Sequence, residues 1–177
     1  MKRERTLKKH FPKGKEDIDK YFIVDEENQK IWNRKTGNLL NFYPTTDGYL
    51  RFSIRINGIQ IHIKVHQFFW YYKHNDLPEK LDHSNQIRND ISLDNLRPAT
   101  NRQNNINSSY TKKVNKNLPK NIYKVGGKNT FFVRIAGQYI GCSTSLEEAI
   151  TIRNKGYKKV YNEEELKFLS KDEFYTD

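Results

Sequence analysis

The stretch "LDHSNQIRNDISLDNLRPATNRQNN", residues 81–105, decides how this chain is read. It holds one Asp-His pair, a polar run and a succession of asparagines. "KLDH" (80–83) predicts a short strand, "SNQIRNDISLD" (84–94) a polar loop and "NLRPA" (95–99) a second short strand. A helix is expected through "RQNNINSSY" (102–110), with Thr100 or Asn101 as its N-cap. Adjacent strand residues point to opposite faces, so Asp82 and His83 can serve different partners. A hairpin followed by a helix can fold Asn104 back over the first strand. The Asp82 carboxylate and the Asn104 amide oxygen are hard donors that suit Mg²⁺, Mn²⁺ or Ca²⁺ better than zinc. His83, with an ordinary pKa of about 6.5, can take a proton from water at neutral pH. Asn95, at the entry to the second strand, can bond across the loop and hold His83 or the loop backbone. The plainer alternative is a hydrogen-bonded surface histidine among turn and cap asparagines.

Upstream, the pattern is mostly β. "YFIV" (21–24) reads as a short strand, and "KIWNRKTGNLLNFY" (30–43) as two strands around a turn at Lys35-Thr36-Gly37. "GYLRFSIRINGIQIHIKV" (48–65) is the clearest hairpin. Leu50, Phe52, Ile54 and Ile56 alternate with polar residues, Asn57-Gly58 supplies a tight turn, and Ile59, Ile61 and Ile63 resume the alternation. Val65, Phe68, Phe69 and Tyr72 fall at i, i+3, i+4 and i+7, which predicts a helix over 65–75 with its aromatics in the core. His66 on that helix reads as a packed side chain. Residues 1–20 read as a basic tail.

Downstream, "TKKVNKNLPK" (111–120) is basic and lacks apolar periodicity, as a linker does. "NIYKV", "TFFVRI" and "QYIGCS" then predict three strands, punctuated by Gly126-Gly127 and Ala136-Gly137. Ser145 and Glu148 match a capping box that opens a helix through "LEEAITIRNKGYKKVY" (146–161). The end, from Glu163, is charged and compatible with helix.

Composition bounds the partners. The 177 residues suit one compact domain or two small ones, and 13% aromatic residues argue against wholesale disorder. No run of 18 apolar residues predicts a membrane span, and the N-terminus lacks the apolar middle of a secretory signal. A single cysteine, Cys142, excludes an internal disulfide and any zinc site that needs two thiolates. An intracellular protein is the simplest reading. The net charge of +11 is unevenly spread. Residues 1–94 carry 17 basic and 13 acidic side chains, residues 95–146 carry 9 basic and no acidic ones, and residues 147–177 carry 6 and 8. A block of 52 residues without a carboxylate suits a polyanion, because each cation that meets a phosphate releases counterions.

Two resemblances sharpen this. The Asn of "LDNLRPAT" lies twelve residues after the His of "LDH", and "NRQNN" brings another nine residues further on. This spacing resembles the HNH nuclease motif, most of all that of phage homing endonucleases with Asn at the last motif position. "VHQFFWYY" also resembles the helix that precedes the motif in these proteins. The resemblance spans roughly residues 20–108 and is sharpest over 81–104. It implies a ββα-metal unit, with Asp82 and Asn104 as metal ligands, His83 as general base and Asn95 as the orienting residue. It implies one Mg²⁺ (or Mn²⁺) per active site. Asn105 and Asn107 are rivals to Asn104, which the spacing favours, and the loop lacks the glycine often found after the His. Residues 121–157 resemble the Apetala-type (ethylene-response-factor-like) DNA-binding domain, in which a three-stranded sheet enters the major groove. The typical Trp of the middle strand is replaced by Phe131 or Phe132. The resemblance implies DNA contacts from Lys124, Lys128, Phe132, Arg134 and Tyr139.

The expected fold is thus α+β: antiparallel hairpins leading into an HNH unit, then a small three-stranded sheet with a helix. The expected divisions are a basic tail (1–20), an HNH nuclease domain (21–108), a linker (109–120), an Apetala-like domain (121–162) and a charged tail (163–177). The resemblances imply a metal-dependent, site-specific endonuclease acting on double-stranded DNA. It would be cytoplasmic, phage- or bacterium-encoded, without a membrane, and a monomer on DNA rather than a dimer, so that one strand is nicked. Further DNA contacts are expected from Arg51 and Arg55 on the hairpin, Arg97 and Arg102 in the motif, and Lys112, Lys113 and Lys116 in the linker. The alternatives are a DNA-binding regulator without catalysis and an RNA-binding, intron-associated factor.

Overall fold

Strands β4 (Leu50–Ile56) and β5 (Ile59–Lys64) form the hairpin that the alternation predicts, paired from Arg51↔Lys64 to Ile56↔Ile59. Asn57 and Gly58 take φ of 48° and 79°, the left-handed pair that a two-residue turn requires. Phe52, Ile54, Ile61 and Ile63 are buried, whereas Arg51 and Arg55 are exposed on the opposite face. Helix α3 (Val65–His74) follows at once and buries Val65, Phe68, Phe69, Tyr71 and Tyr72. Phe22, Phe52 and Phe68 meet edge to face at 5.2–5.8 Å, and Phe69 joins them through Phe68. Such pairs add about 0.5–1.5 kcal/mol each beyond area burial.

The structure is a computed structural model that describes residues 6–108, 117–124 and 129–169. Lys112, Lys113, Lys116, Lys128, the Gly126-Gly127 turn and most of the linker lie outside the described residues, as does the end of the charged C-terminal segment. The fold is α+β with small antiparallel sheets. The chain divides into two compact units, Met1–Asn101 and Arg102–Asp177.

Two expectations about the first unit are corrected. Residues 6–20 are not a detached tail. Helices α1 (Thr6–His10) and α2 (Lys15–Ile18) bury Leu7, Phe11 and Ile18 in the same core. The Tyr71 hydroxyl donates to the Phe11 carbonyl at 2.8 Å, and Lys15 N donates to Asn75 Oδ1 at 2.8 Å. Gly14 sits at φ +61°, where a Cβ would overlap the Asn75 side chain. The second correction concerns 30–43. Strand β2 (Lys30–Asn33) pairs with β1 (Phe22–Asp25), and across the expected turn at 35–37 residues 38–40 return along β2 through one bridge, Trp32↔Leu39, with Asn33 N donating to the Asn38 carbonyl (2.9 Å) and Leu40 N to the Ile31 carbonyl (2.8 Å), without forming a second full strand. Asp25 accepts from the Asn28 backbone and side chain, which closes the β1–β2 turn instead. The short strand β3 (Tyr43–Pro44) pairs with the edge of β4.

The motif folds as strand, loop, strand, helix. β6 (Lys80–His83) pairs with β7 (Leu96–Ala99), with Asp82 opposite Arg97 and His83 opposite Leu96. A 3-10 turn, Leu93–Asn95, closes the loop, and α4 (Asn101–Asn107) follows, ending before Ser108.

In the second unit β8 (Ile122–Lys124), β9 (Phe131–Ile135) and β10 (Gln138–Ser143) form a sheet in the order β10-β9-β8. Helix α5 (Leu146–Val160) packs on it, with Ile122, Val133, Ile135, Ala149 and Tyr157 buried. The expected capping box at Ser145 is half formed. Ser145 Oγ accepts from Glu148 N, but the Glu148 carboxylate takes the Ser143 hydroxyl, and Ser145 N donates to Ser143 Oγ. A complete box stands at Asn162 and Glu165, opening α6 (Glu163–Leu166), after which Phe168 and Leu169 are buried. Among the described residues no helix is long and apolar enough to cross a membrane.

Candidate active site

Asp82 and His83 are each only 4% exposed, and the pleat of β6 sends them to opposite sides. On one side, Asp82 Oδ2 accepts from Arg97 Nε at 2.8 Å, directly across the hairpin. On the other, the His83 ring meets His66 of α3 edge to face at 5.0 Å and Tyr49 at 5.6 Å. Tyr49 also packs on His66 at 4.9 Å. The Lys64 ammonium lies over the Tyr49 ring at 3.9 Å and the Arg88 guanidinium at 5.5 Å. Arg88 further donates to the Asp47 carbonyl, and Lys64 pairs with the Asp47 carboxylate. The side chains around His83 are therefore aromatic, with two cations behind them.

This setting keeps both imidazoles neutral. Burial pushes the His83 pKa below its ordinary value, against the pull of Asp82 and Asp90. For His66, burial and then the charges of His83 and Lys64 lower it to about 3. His66 Nδ1 has no hydrogen-bond partner among the described residues, so a proton there would gain no compensating bond. A neutral imidazole is the form that accepts a proton.

Asn95 organises the loop. Its Oδ1 accepts from Ser84 Oγ (2.9 Å) and Asn85 N (3.0 Å), and its carbonyl accepts from Ser84 N (2.8 Å) and Oγ (3.0 Å). Asp90 continues the network, accepting from Asn85 Nδ2, Ser92 N and Ser92 Oγ. The side chain thus grips the backbone just after His83. Gln86, at φ 62°, occupies the left-handed position for which a glycine would have been the ordinary choice.

Asp82 offers a carboxylate of the kind Mg²⁺ prefers. The donor chemistry fits a hard divalent ion, which would share the Asp82 carboxylate with Arg97. Asn104 is part of α4 and belongs to the second unit. Among the described residues, no group of three or more His, Cys, Asp or Glu is arranged to hold a metal.

The cations expected on nucleic acid fall into two sets. Arg51, Arg55 and Arg134 are exposed and have no carboxylate partner among the described residues. The other described ones are engaged within the protein. Arg97 holds Asp82, Arg102 pairs with Glu165 and lies over Tyr161, and Lys124 lies over Phe131 and donates to Asn129. Strand alternation puts Phe132, Arg134 and Tyr139 on the sheet face away from α5, and Lys124 with Phe131 on the other parity. Tyr49 and Arg88 were not singled out in the sequence. Tyr49 belongs to a turn, "TTDGY", that carries no signal of its later neighbours.

No family model and no curated protein matches the chain. One solved structure, described as "DNA binding and cleavage by the HNH homing endonuclease I-HmuI", is similar to it, with 24% identity and a TM-score of 0.41. The match covers 47% of this chain and 50% of that one, so it spans about half the length of that structure.

Proposed function

We propose that the chain is an HNH endonuclease that cleaves a phosphodiester of double-stranded DNA, with His83 as general base. The observation that carries this reading is the neutral imidazole of His83. It stands at the end of the first strand of a strand–loop–strand–helix unit, beside Asp82 and twelve residues before Asn95. His83 takes a proton from water as the water oxygen bonds to phosphorus. The bond from phosphorus to the 3′ oxygen breaks, leaving a 5′-phosphate and a 3′-hydroxyl once that oxygen is protonated by solvent. Asn95 fixes the loop that carries the base. The Apetala-type resemblance of the second unit and the exposed Arg51, Arg55 and Arg134 support a DNA partner. A monomer with one such site nicks one strand.

Mg²⁺ or Mn²⁺ at Asp82 and Asn104, once bound, would stabilise charge on the phosphate and the departing oxygen. Supercoiled plasmid carrying candidate target DNA, incubated with Mg²⁺ or Mn²⁺, should be nicked by the wild type. His83→Ala should bind equally and cut about 10²–10⁴-fold more slowly. Equal cutting by His83→Ala removes the base assignment.

A second reading rests on the Asp82–Arg97 ion pair. A carboxylate already neutralised by a guanidinium is what a DNA-binding regulator that kept the fold without the chemistry would retain. Binding without cutting by the wild type at any cognate site selects it.

A further inference from the structure

The second unit contains a half-open cavity of about 990 Å³, at the upper end of the usual range for ligand sites. Arg102, Lys120 and Arg134 supply three cations to its lining, and Tyr123, Phe132 and Tyr161 supply three aromatic rings. Asn105 and Asn121 add amides, and no carboxylate residue lines it. It lies wholly within the chain's acid-free block, apart from Tyr161.

The cations are held ready. Lys120 Nζ donates to the carbonyls of Asn105 (3.2 Å) and Ile106 (2.5 Å), which fixes its ammonium at the cavity wall. Arg102 pairs with Glu165, whose carboxylate is drawn to the guanidinium and does not line the cavity. Arg134 has no carboxylate partner among the described residues. Opposite it in the register stands Tyr139, and next to it in the sheet the pair Tyr123↔Phe132. Charge alone would accept any anion, but the rings narrow the choice. A duplex offers only base edges in its grooves. Aromatic side chains stack on base faces, which are available only when a nucleotide is unpaired.

We infer that this cavity binds an unpaired nucleotide of a single-stranded nucleic acid, its base against Tyr123 and Phe132 and its phosphate against Arg134 and Lys120. The site is separate from the His83 centre and goes beyond the nuclease reading.

The test uses the full chain in EDTA, so that cleavage plays no part. The probes are fluorescent octanucleotides of deoxythymidine and of uridine, a duplex of equal charge, and an oligonucleotide with 2-aminopurine at its centre. Wild type should bind the single strands and quench the 2-aminopurine. Phe132→Ala should weaken that binding roughly five- to 150-fold, the ratio that corresponds to losing one stacked base. Arg134→Gln, at an exposed position that leaves the core intact, should weaken it and lower the salt slope by about one. Duplex binding should change less in Phe132→Ala. A preference between the deoxy and ribo probes identifies the natural strand. Unchanged quenching in both variants, an equal loss on duplex and single strand in Phe132→Ala, or equal displacement by polyglutamate each overturns the inference.

Discussion

The imidazoles of His66 and His83 stand 5.0 Å apart, edge to face, with Tyr49 against both. Two titratable rings share one buried cluster, so neither gains a proton without penalty to the other. Their effect on stability follows from its sign. The folded-state pKa of His66, about 3, lies below its ordinary 6.5, so the unfolded chain takes the proton first. The neutral cluster's contribution is complete above about pH 6.5 and is lost as pH falls toward 3, by on the order of 5 kcal/mol over the whole interval. Urea midpoints measured between pH 7.5 and 5 should fall for the wild type and fall less for His66→Phe. Parallel curves would assign the acid sensitivity elsewhere.

Asn95→Ala should cost about 1–3 kcal/mol, because it strands the Asn85 amide N–H, whereas the Ser84 hydroxyl keeps the carbonyl of residue 95. Asn95→Asp keeps the acceptor and should lose less. Chemical denaturation of the two variants gives the order. The loss of nicking should exceed the loss of DNA binding in both.

A divalent cation at the proposed site would compete with Arg97 for the Asp82 carboxylate. Arg97→Gln should therefore lower the Mg²⁺ concentration for half-maximal nicking severalfold, at some expense of stability. Calorimetric titration of Mn²⁺ into the same variant reads the competition without catalysis. An unchanged Mg²⁺ midpoint and Mn²⁺ affinity would take Asp82 out of the ligand set.

Arg51 and Arg55 share the exposed face of β4. If both meet phosphates, replacing the pair with Gln should weaken duplex binding about equally across sequences and lower the salt slope by about two. Fluorescence anisotropy over a salt series measures this.

The parts of this fold legible in the sequence are those with a period. The β4–β5 alternation and the spacing of Phe68, Phe69 and Tyr72 on α3 each mark a face that must be buried. Helices α1 and α2 have five and four residues, too few for any period, and their three apolar anchors sit among lysines. The pairing of β1 with β2 was hidden because Asp25 and Asn28 close their turn without a glycine. Type and spacing mark Asp82, His83 and Asn95 as candidates, and the β6–β7 hairpin and its loop bring them close together. The Asp82–Arg97 pair was implicit in the hairpin register, where a basic residue facing an acid has an intramolecular use before any external one. Tyr49 could not be found, because it reaches the histidines only after β4, β5 and α3 have turned the chain around it.

Asn75 ends α3 in the left-handed conformation, its backbone N–H donating to the Tyr71 carbonyl and its side-chain oxygen accepting from Lys15 N. The Asn75 amide thus joins a helix terminus to a segment sixty residues away, beside the Tyr71 hydroxyl on the Phe11 carbonyl. Leu7, Phe11 and Ile18 are thus covered by a part of the chain that is made long after them. Removing residues 6–18 would uncover apolar core surface, and the consequence would be read in expression yield and aggregation rather than in activity.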